Sequence, residues 1–334
     1  MSATIKLENK HFPVLLKELL SIISPLYGGT FIDCTFGQGG YSKKILEEKK
    51  NKIIALDRDQ DVNLYVKEIE KKYSNRFNFH NIKFSQINNL KIKDNDLKAI
   101  IFDLGYSLNQ IKDLSKGLSF QSKGKLNMKM GLNEFSSHEV ISKMNEKNLV
   151  KIFKFFGDEI HAKKIVKKIV ENRKIKTINT EDLTKIIDDV KKYKNSKINN
   201  STKVFQALRI FVNKEISELI NGLINAFHLL PVGGIILVVT FHSIEDRIVK
   251  FFFKNYSEIK NPSRYLPNKN KILKCFKLTN KKPIIPNSEE LKLNPSSRSA
   301  KLRFVTKISN QYNFDDFKKK FEYLTDIENL QFDK

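Results

Sequence analysis

The sequence predicts a doubly wound α/β fold interrupted by a helical domain, and three observations carry that reading. Apolar strands alternate with helical stretches through the first hundred residues, and three of those strands end on or beside an aspartate, Asp33, Asp57 or Asp103. The stretch from about Gln110 to Thr202 then reads only as helices. Beyond it, Gly233 to Thr240 is again a buried-type strand rich in Ile and Val.

Taken in order, a helix is expected from about Pro13 to Ser24, then a strand near 30–33. Gly37, Gly39 and Gly40 follow that strand, where a missing Cβ lets backbone N–H groups approach a ligand, and a helix starting near Tyr41 aims its N-terminus at the same place. Strands at Ile53 to Leu56, 77–80 and Ala99 to Phe102 complete the first half. In such sheets ligands sit at the carboxyl ends of the strands, so the three aspartates are expected to converge on one crevice. Ser136 with Glu139 forms a capping-box pattern, Thr180-Glu-Asp precedes another helix, and a long helix runs from Val204 to about Ile216. The expected division is 1–110 and 204–334 for a discontinuous catalytic domain and 111–203 for the helical insert, read as an RNA-recognition domain.

The acid after the second strand, Asp57, is placed to accept hydrogen bonds from both hydroxyls of a ribose. A dinucleotide fingerprint counted from Gly37 needs glycine where Ser42 stands, so the third glycine of an NAD site is missing. Read from Asp33, the segment Asp33-Cys-Thr-Phe-Gly-Gln-Gly-Gly40 has the rhythm of acid and small residues seen in S-adenosylmethionine pockets. A methyl donor is therefore favoured over NAD. The competing reading is that these glycines serve strand-to-helix packing alone.

The 334-residue chain carries 61 basic and 37 acidic residues, net +24, which suits a polyanionic partner whose phosphates release counterions on binding. Part of that charge is a compositional lysine bias. Residues 142–205 hold 17 basic and 8 acidic residues and 257–303 hold 12 and 3, so each segment is net +9. The two cysteines, Cys34 and Cys275, give neither a disulfide framework nor zinc spacing, and no metal is expected. No apolar run approaches the roughly 20 residues that span a bilayer, and a cytoplasmic setting without membrane contact is expected.

Several segments go beyond fold to a family: Asp103-Leu-Gly-Tyr-Ser-Leu-Asn-Gln110, Gly117 to Met130, Phe241-His-Ser-Ile-Glu-Asp-Arg-Ile-Val-Lys250 and Asn294-Pro-Ser-Ser-Arg-Ser-Ala-Lys-Leu-Arg303. With His11-Phe-Pro-Val-Leu-Leu and Phe205-Gln-Ala-Leu-Arg-Ile, they resemble the bacterial 16S ribosomal RNA cytosine-N4 methyltransferase family, also called MraW, in order from about residue 11 to 305. The resemblance implies a Rossmann-like S-adenosylmethionine-dependent methyltransferase fold and methylation of a cytosine in the decoding region of the small ribosomal subunit's RNA rather than DNA. It implies cofactor contacts at Gly39, Gly40, Tyr41, Asp57, Phe84, Asp103 and Gln110. The chain departs from the family's usual residues at Tyr41, Tyr106, Leu108, Asn127, Lys129 and Gly131.

For the chemistry, Asp103 is expected beside the methyl donor, where it can accept an amine N–H and stabilise charge developing on nitrogen, or serve in cofactor binding alone. Tyr106 is expected either to pack in the core or to stack on an extruded base. Ser243-Ile-Glu-Asp246 reads as a capping box, which leaves His242 to line the pocket and Arg247 to bind a phosphate or an internal carboxylate. Arg298 and Arg303 are expected to touch RNA. A non-catalytic assembly factor that keeps the fold is the rival class, and a DNA amino methyltransferase is more distant.

Overall fold

A computed structural model of the chain describes residues 13–90, 92, 96–107, 110–111, 113–120, 122, 124–191, 199–257 and 274–332. Leu108, the His11-Phe12 start of the first motif and the basic stretch 258–273 lie outside the described residues. The strands are β1 (Thr30–Asp33), β2 (Lys52–Leu56), β3 (Phe77–His80), β4 (Leu97–Asp103), β5 (Ile235–Thr240), β6 (Phe276–Lys277) and β7 (Lys301–Lys307). The helices are α1 (Leu16–Ile23), α2 (Gly40–Leu46), α3 (Asn63–Tyr73), α4 (Ser137–Lys143), α5 (Glu146–Gly157), α6 (Ala162–Arg173), α7 (Thr180–Val190), α8 (Thr202–Asn213), α9 (Glu215–Leu229), α10 (Ser243–Asn255), α11 (Ser288–Leu293) and α12 (Asp315–Glu328).

The chain divides into two compact units: 1–81, 88–105 and 226–312 in the first; 82–87, 106–225 and 313–334 in the second. The first holds a seven-stranded sheet in the order β3-β2-β1-β4-β5-β7-β6. Strands β1 to β5 are parallel, β7 runs antiparallel to β5, and β6 antiparallel to β7. Every residue of β1 and β5 is buried, as expected of central strands covered on both faces, which explains their unbroken apolar sequences. The chain leaves β1 toward β2 and β3, then returns to β4 on the other side of β1, which puts the topological switch point between β1 and β4.

The second unit is helical. The Ser136–Glu139 capping box forms as the sequence predicts, while the cap of α7 is Asn179, paired with Asp182, one residue before the expected Thr180. The segment of the Gly117–Met130 motif that lies against α8 is pinned by one amide: Asn213 donates Nδ2 to the Met128 carbonyl, and its Oδ1 accepts from Met130 N and Asn133 Nδ2.

The boundary between the units differs from the expected one at 203/204. Helix α8, the first part of α9 and the C-terminal α12 belong to the helical unit. The reason is apolar patterning: α8 buries Val204, Phe205, Leu208, Phe211 and Val212, and α12 buries Phe317, Phe321, Leu324 and Ile327. Glu328 at the end of α12 is fully buried and accepts from Ile216 N (2.7 Å), Ser217 N (2.8 Å) and Ser217 Oγ (2.6 Å), so it caps the start of α9 from 111 residues or more away. Burial pushes its carboxyl up to about 7 despite those bonds.

Candidate active site

The switch point collects carboxylates because β1 and β4 end on aspartates and β2 is followed by one. Asp33 closes β1 and is fully buried. Its Oδ2 accepts from Ser42 Oγ (2.7 Å) and its Oδ1 from Thr35 N (3.3 Å), and it also accepts from the Ser42 backbone. Asp33 therefore fastens the glycine loop to the first turn of α2. Asp57 fastens the loop from the other side, with Oδ2 accepting from Gly37 N and Oδ1 from Asp59 N, both at 2.8 Å. Each Asp57 oxygen keeps a further lone pair, which a ribose hydroxyl can use.

Asp103 differs from both. Its backbone N–H donates to Thr35 Oγ1 at 2.7 Å, which ties the end of β4 to the loop after β1. Its side-chain Oδ1 is buried and has no hydrogen-bond partner among the described residues. A buried acceptor left without a partner costs free energy on the order of 1–3 kcal/mol, so it signals a group held ready for a ligand.

The electrostatics follow from burial. Desolvation pushes the Asp33 and Asp57 carboxyls up to about 6, against the hydrogen bonds that would lower them. Asp103 is raised well above the usual carboxylate range, first by burial and then by the charges of Asp33 and Glu245. Three acids crowded into one low-dielectric pocket favour a cation among them.

The glycines prove to have mixed duties. Gly39, at φ 73°, is the left-handed cap of α2, and a Cβ there would meet Ile69 at 2.6 Å and Phe36 at 2.8 Å; at Gly40 it would overlap the ring of Pro13. Packing alone demands these two, whereas a Cβ at Gly37 would meet only the Thr35 carbonyl at 4.0 Å, and it is the positive φ of 53° that favours glycine there. Tyr41 turns its side chain away into the core, where its hydroxyl donates to the Val14 carbonyl. What Gly40 and Tyr41 can offer a ligand is their backbone N–H groups, which as first-turn amides have no acceptor within the helix.

Three expected site residues belong to the helical unit. Phe84 starts a 3-10 turn and is half-buried, and the next residue, Ser85, is held by Glu218 through both its N–H (3.0 Å) and its hydroxyl (2.8 Å). Gln110 closes a local turn, its Oε1 accepting from Ser107 N at 2.9 Å. Tyr106 is 46% exposed rather than packed in the core, and the Arg209 guanidinium lies 4.8 Å from its ring centroid. Arg209 is fixed by a bidentate pair with Glu215, at 2.8 and 2.9 Å.

Two readings of the Phe241–Lys250 segment require correction. The cap of α10 is His242, not Ser243: His242 Nδ1 faces the Glu245 N–H at 3.5 Å, and Glu245 Oε2 accepts from His242 N (3.3 Å) and Phe241 N (2.8 Å). His242 Nε2 lies 3.0 Å from Glu245 Oε1 but off hydrogen-bonding geometry, so the pair is ionic only when the imidazole is protonated. Capping thus accounts for His242, and a pocket-lining role is not needed to explain it. Asp246, in turn, is not a capping residue. It binds Arg303 Nε at 2.7 Å and Lys301 Nζ at 3.1 Å, and these cations hold its carboxyl below the usual range although burial opposes them. Arg303 sits in β7 with a side chain only 10% exposed, and this carboxylate is its ion-pair partner among the described residues. Arg247 and Arg298 are exposed and form no ion pair among the described residues.

The residues present fit a sulfonium cofactor: first-turn amides at the head of α2, an acid after β2 with free lone pairs, and a buried carboxylate oxygen at the end of β4 that has no hydrogen-bond partner among the described residues. The sheet order with its antiparallel β7, and a glycine loop lacking a third glycine, define a Rossmann-like S-adenosylmethionine-dependent methyltransferase.

Comparison with known proteins gives this class a family. The model of the MraW methylase family matches residues 8–308. The "Ribosomal RNA small subunit methyltransferase H" of Wolbachia sp. subsp. Drosophila simulans (strain wRi) is 40% identical over 303 residues, covering 90% of this chain and 99% of the relative. That of Wolbachia pipientis subsp. Culex pipiens (strain wPip) is 41% identical over 303 residues, covering 90% and 99%. That of Orientia tsutsugamushi (strain Boryong) is 40% identical over 311 residues, covering 91% and 100%. The chain belongs to the MraW methylase family.

Proposed function

We propose that this methyltransferase moves a methyl group from S-adenosylmethionine to the exocyclic N4 amine of a cytidine in the decoding region of 16S ribosomal RNA, in the cytoplasm. The observation that carries the reading is the unpartnered, buried Oδ1 of Asp103 at the end of β4. The cofactor supplies an electrophilic methyl on a positively charged sulfur. Cytosine's amine is a poor nucleophile because its lone pair is delocalised into the ring. Asp103 accepts an N–H of that amine, which localises the lone pair and stabilises the positive charge that grows on nitrogen as the methyl arrives. Asp57 orients the donor through the ribose, and the head of α2 contributes the Gly40 and Tyr41 amides.

On the helical unit, Tyr106 offers a half-exposed ring already backed by a guanidinium, a surface on which an unstacked base can lie. Arg247 and Arg298 are free to meet phosphates, and the insert serves RNA recognition. Relatives named for small-subunit ribosomal RNA support that substrate over DNA.

The test is incubation of the protein with labelled S-adenosylmethionine and small ribosomal subunits that lack the modification, followed by nucleoside mass analysis. N4-methylcytidine is expected. A different methylated base overturns the substrate assignment, and cofactor binding without transfer favours an assembly factor that keeps the fold.

A further inference from the structure

A cluster of cations outside the methyl-transfer site lies on the helical unit, at a shallow groove along α5. Lys147, Lys151 and Lys154 recur at a spacing that puts them on one side of that helix, and Lys163 of α6 lines the same groove with Val150 and Glu146. Four lysines thus stand against one glutamate. None of the four forms an ion pair among the described residues, whereas nearby Lys143, Lys168, Lys176, Lys185 and Lys191 all do.

The groove ends on aromatic rings. Phe155 is 37% exposed and meets Tyr323 of α12, itself 43% exposed, edge to face with ring centroids 6.1 Å apart. Lys154 Nζ stands 5.6 Å from the Phe155 ring centroid. Helix α12 lies outside residues 8–308, so Tyr323 is an addition to what the family match covers. Its placement is firm: Phe317, Phe321, Leu324 and Ile327 are buried beneath it, and Glu328 caps α9. Nothing on the buried side of α12 requires an aromatic residue at 323, which faces water.

Unpaired cations beside half-exposed rings match single-stranded nucleic acid, which brings phosphates for the lysines and flat faces for the rings. A protein interface is depleted in lysine at its core, whereas four lysines line this groove. We propose that this groove, closed by the Phe155–Tyr323 pair, binds an unpaired segment of the ribosomal RNA substrate, with phosphates on Lys147, Lys151, Lys154 and Lys163 and a base against the rings. The proposal rests on the RNA substrate of the reading above and adds a second contact, separate from the target cytidine.

The test uses the full chain with the double substitution Phe155→Ala and Tyr323→Ala, and Tyr323→Phe as the control that keeps the ring. Binding of a fluorescent oligouridylate and the KM and kcat for methylation of small subunits are read together, with thermal unfolding to establish that each variant is folded. The double variant is expected to weaken oligouridylate binding and raise KM by on the order of 10-fold or more, with kcat unchanged, and Tyr323→Phe to behave as wild type. Replacing Lys147 and Lys151 with Gln is expected to reduce the salt slope of binding by about 0.7 for each phosphate that a lysine no longer neutralises.

Unchanged oligouridylate affinity in the folded double variant overturns the proposal. A raised KM without loss of oligouridylate binding also overturns it, in favour of a ribosomal protein partner. Oligouridylate binding that depends on the rings, in a protein that transfers no methyl to small-subunit RNA, supports the groove and refutes the substrate reading instead.

Discussion

Asp103→Asn is expected to lower methyl transfer to small subunits by on the order of 10²–10³-fold while leaving the fold intact. The substitution keeps the shape of the side chain and removes the charge that burial and the Asp33 and Glu245 carboxylates already disfavour. Because the wild-type carboxylate is destabilised where it stands, the variant's unfolding temperature at neutral pH should be unchanged or higher. Activity and stability moving in opposite directions is the mark of a residue kept for function at a structural cost. Single-turnover methylation beside thermal unfolding makes the comparison. A parallel fall in both would assign Asp103 to the structure instead.

Asp57→Ala is expected to have the second large effect, on binding rather than on the chemical step. The carboxylate holds the Gly37 and Asp59 amides, both at 2.8 Å, and stands directly after β2, where it can receive a ribose. Its removal loses the ribose bonds and loosens the loop that shapes the pocket, so cofactor affinity should fall by about 100-fold or more, the equivalent of about 3 kcal/mol. Two part-buried amides lose their acceptor as well, which should cost about 1–3 kcal/mol of stability. Calorimetric titration of the cofactor and denaturant unfolding read these separately. Unaltered affinity in a destabilised protein would reduce Asp57 to a brace for the loop.

Much of the sheet was legible because its central strands are buried on both faces and so carry unbroken apolar runs, and because the acids that end them are rare among such residues. The Phe31–Asp59 segment folds as strand, glycine turn, helix, strand and acid for that reason. The antiparallel β7 was hidden, since Lys301-Leu-Arg-Phe-Val-Thr-Lys307 alternates charged and apolar residues in a segment rich in basic residues, and invites a reading as a phosphate-gripping loop. Its charges are answered internally by Asp246 and by the Phe227 and Leu230 carbonyls that accept from Lys307.

The site was partly legible. Asp57 and Asp103 announce themselves by position, but Thr35, which holds the backbone of Asp103, and Glu245, which caps α10 and presses on the Asp103 carboxyl, carry no signal beyond small or acidic residue type. Ser243 is the cap that composition favours, and only the geometry of the turn selects the histidine. The boundary of the helical unit was missed because α8 and α12 are amphipathic helices, and amphipathicity tells that a face is buried without telling against what.

The acids at the switch point form the seat of a cation, and proton linkage to cofactor binding reads this. Burial raises Asp33 and Asp57 to about 6 and lifts Asp103 well above the usual carboxylate range, so between about 4 and about 6 the folded protein holds protons that the unfolded chain has released. Their contribution to stability is therefore greatest at low pH and declines as pH rises from about 4 through about 6. A bound sulfonium reverses the preference, because it favours the charged carboxylates and expels their protons. Titrating S-adenosylmethionine calorimetrically near pH 6 in two buffers of different ionisation enthalpy should show release of about one proton or more per cofactor, with affinity tightening as pH rises. Proton uptake, or binding indifferent to the buffer, would contradict it.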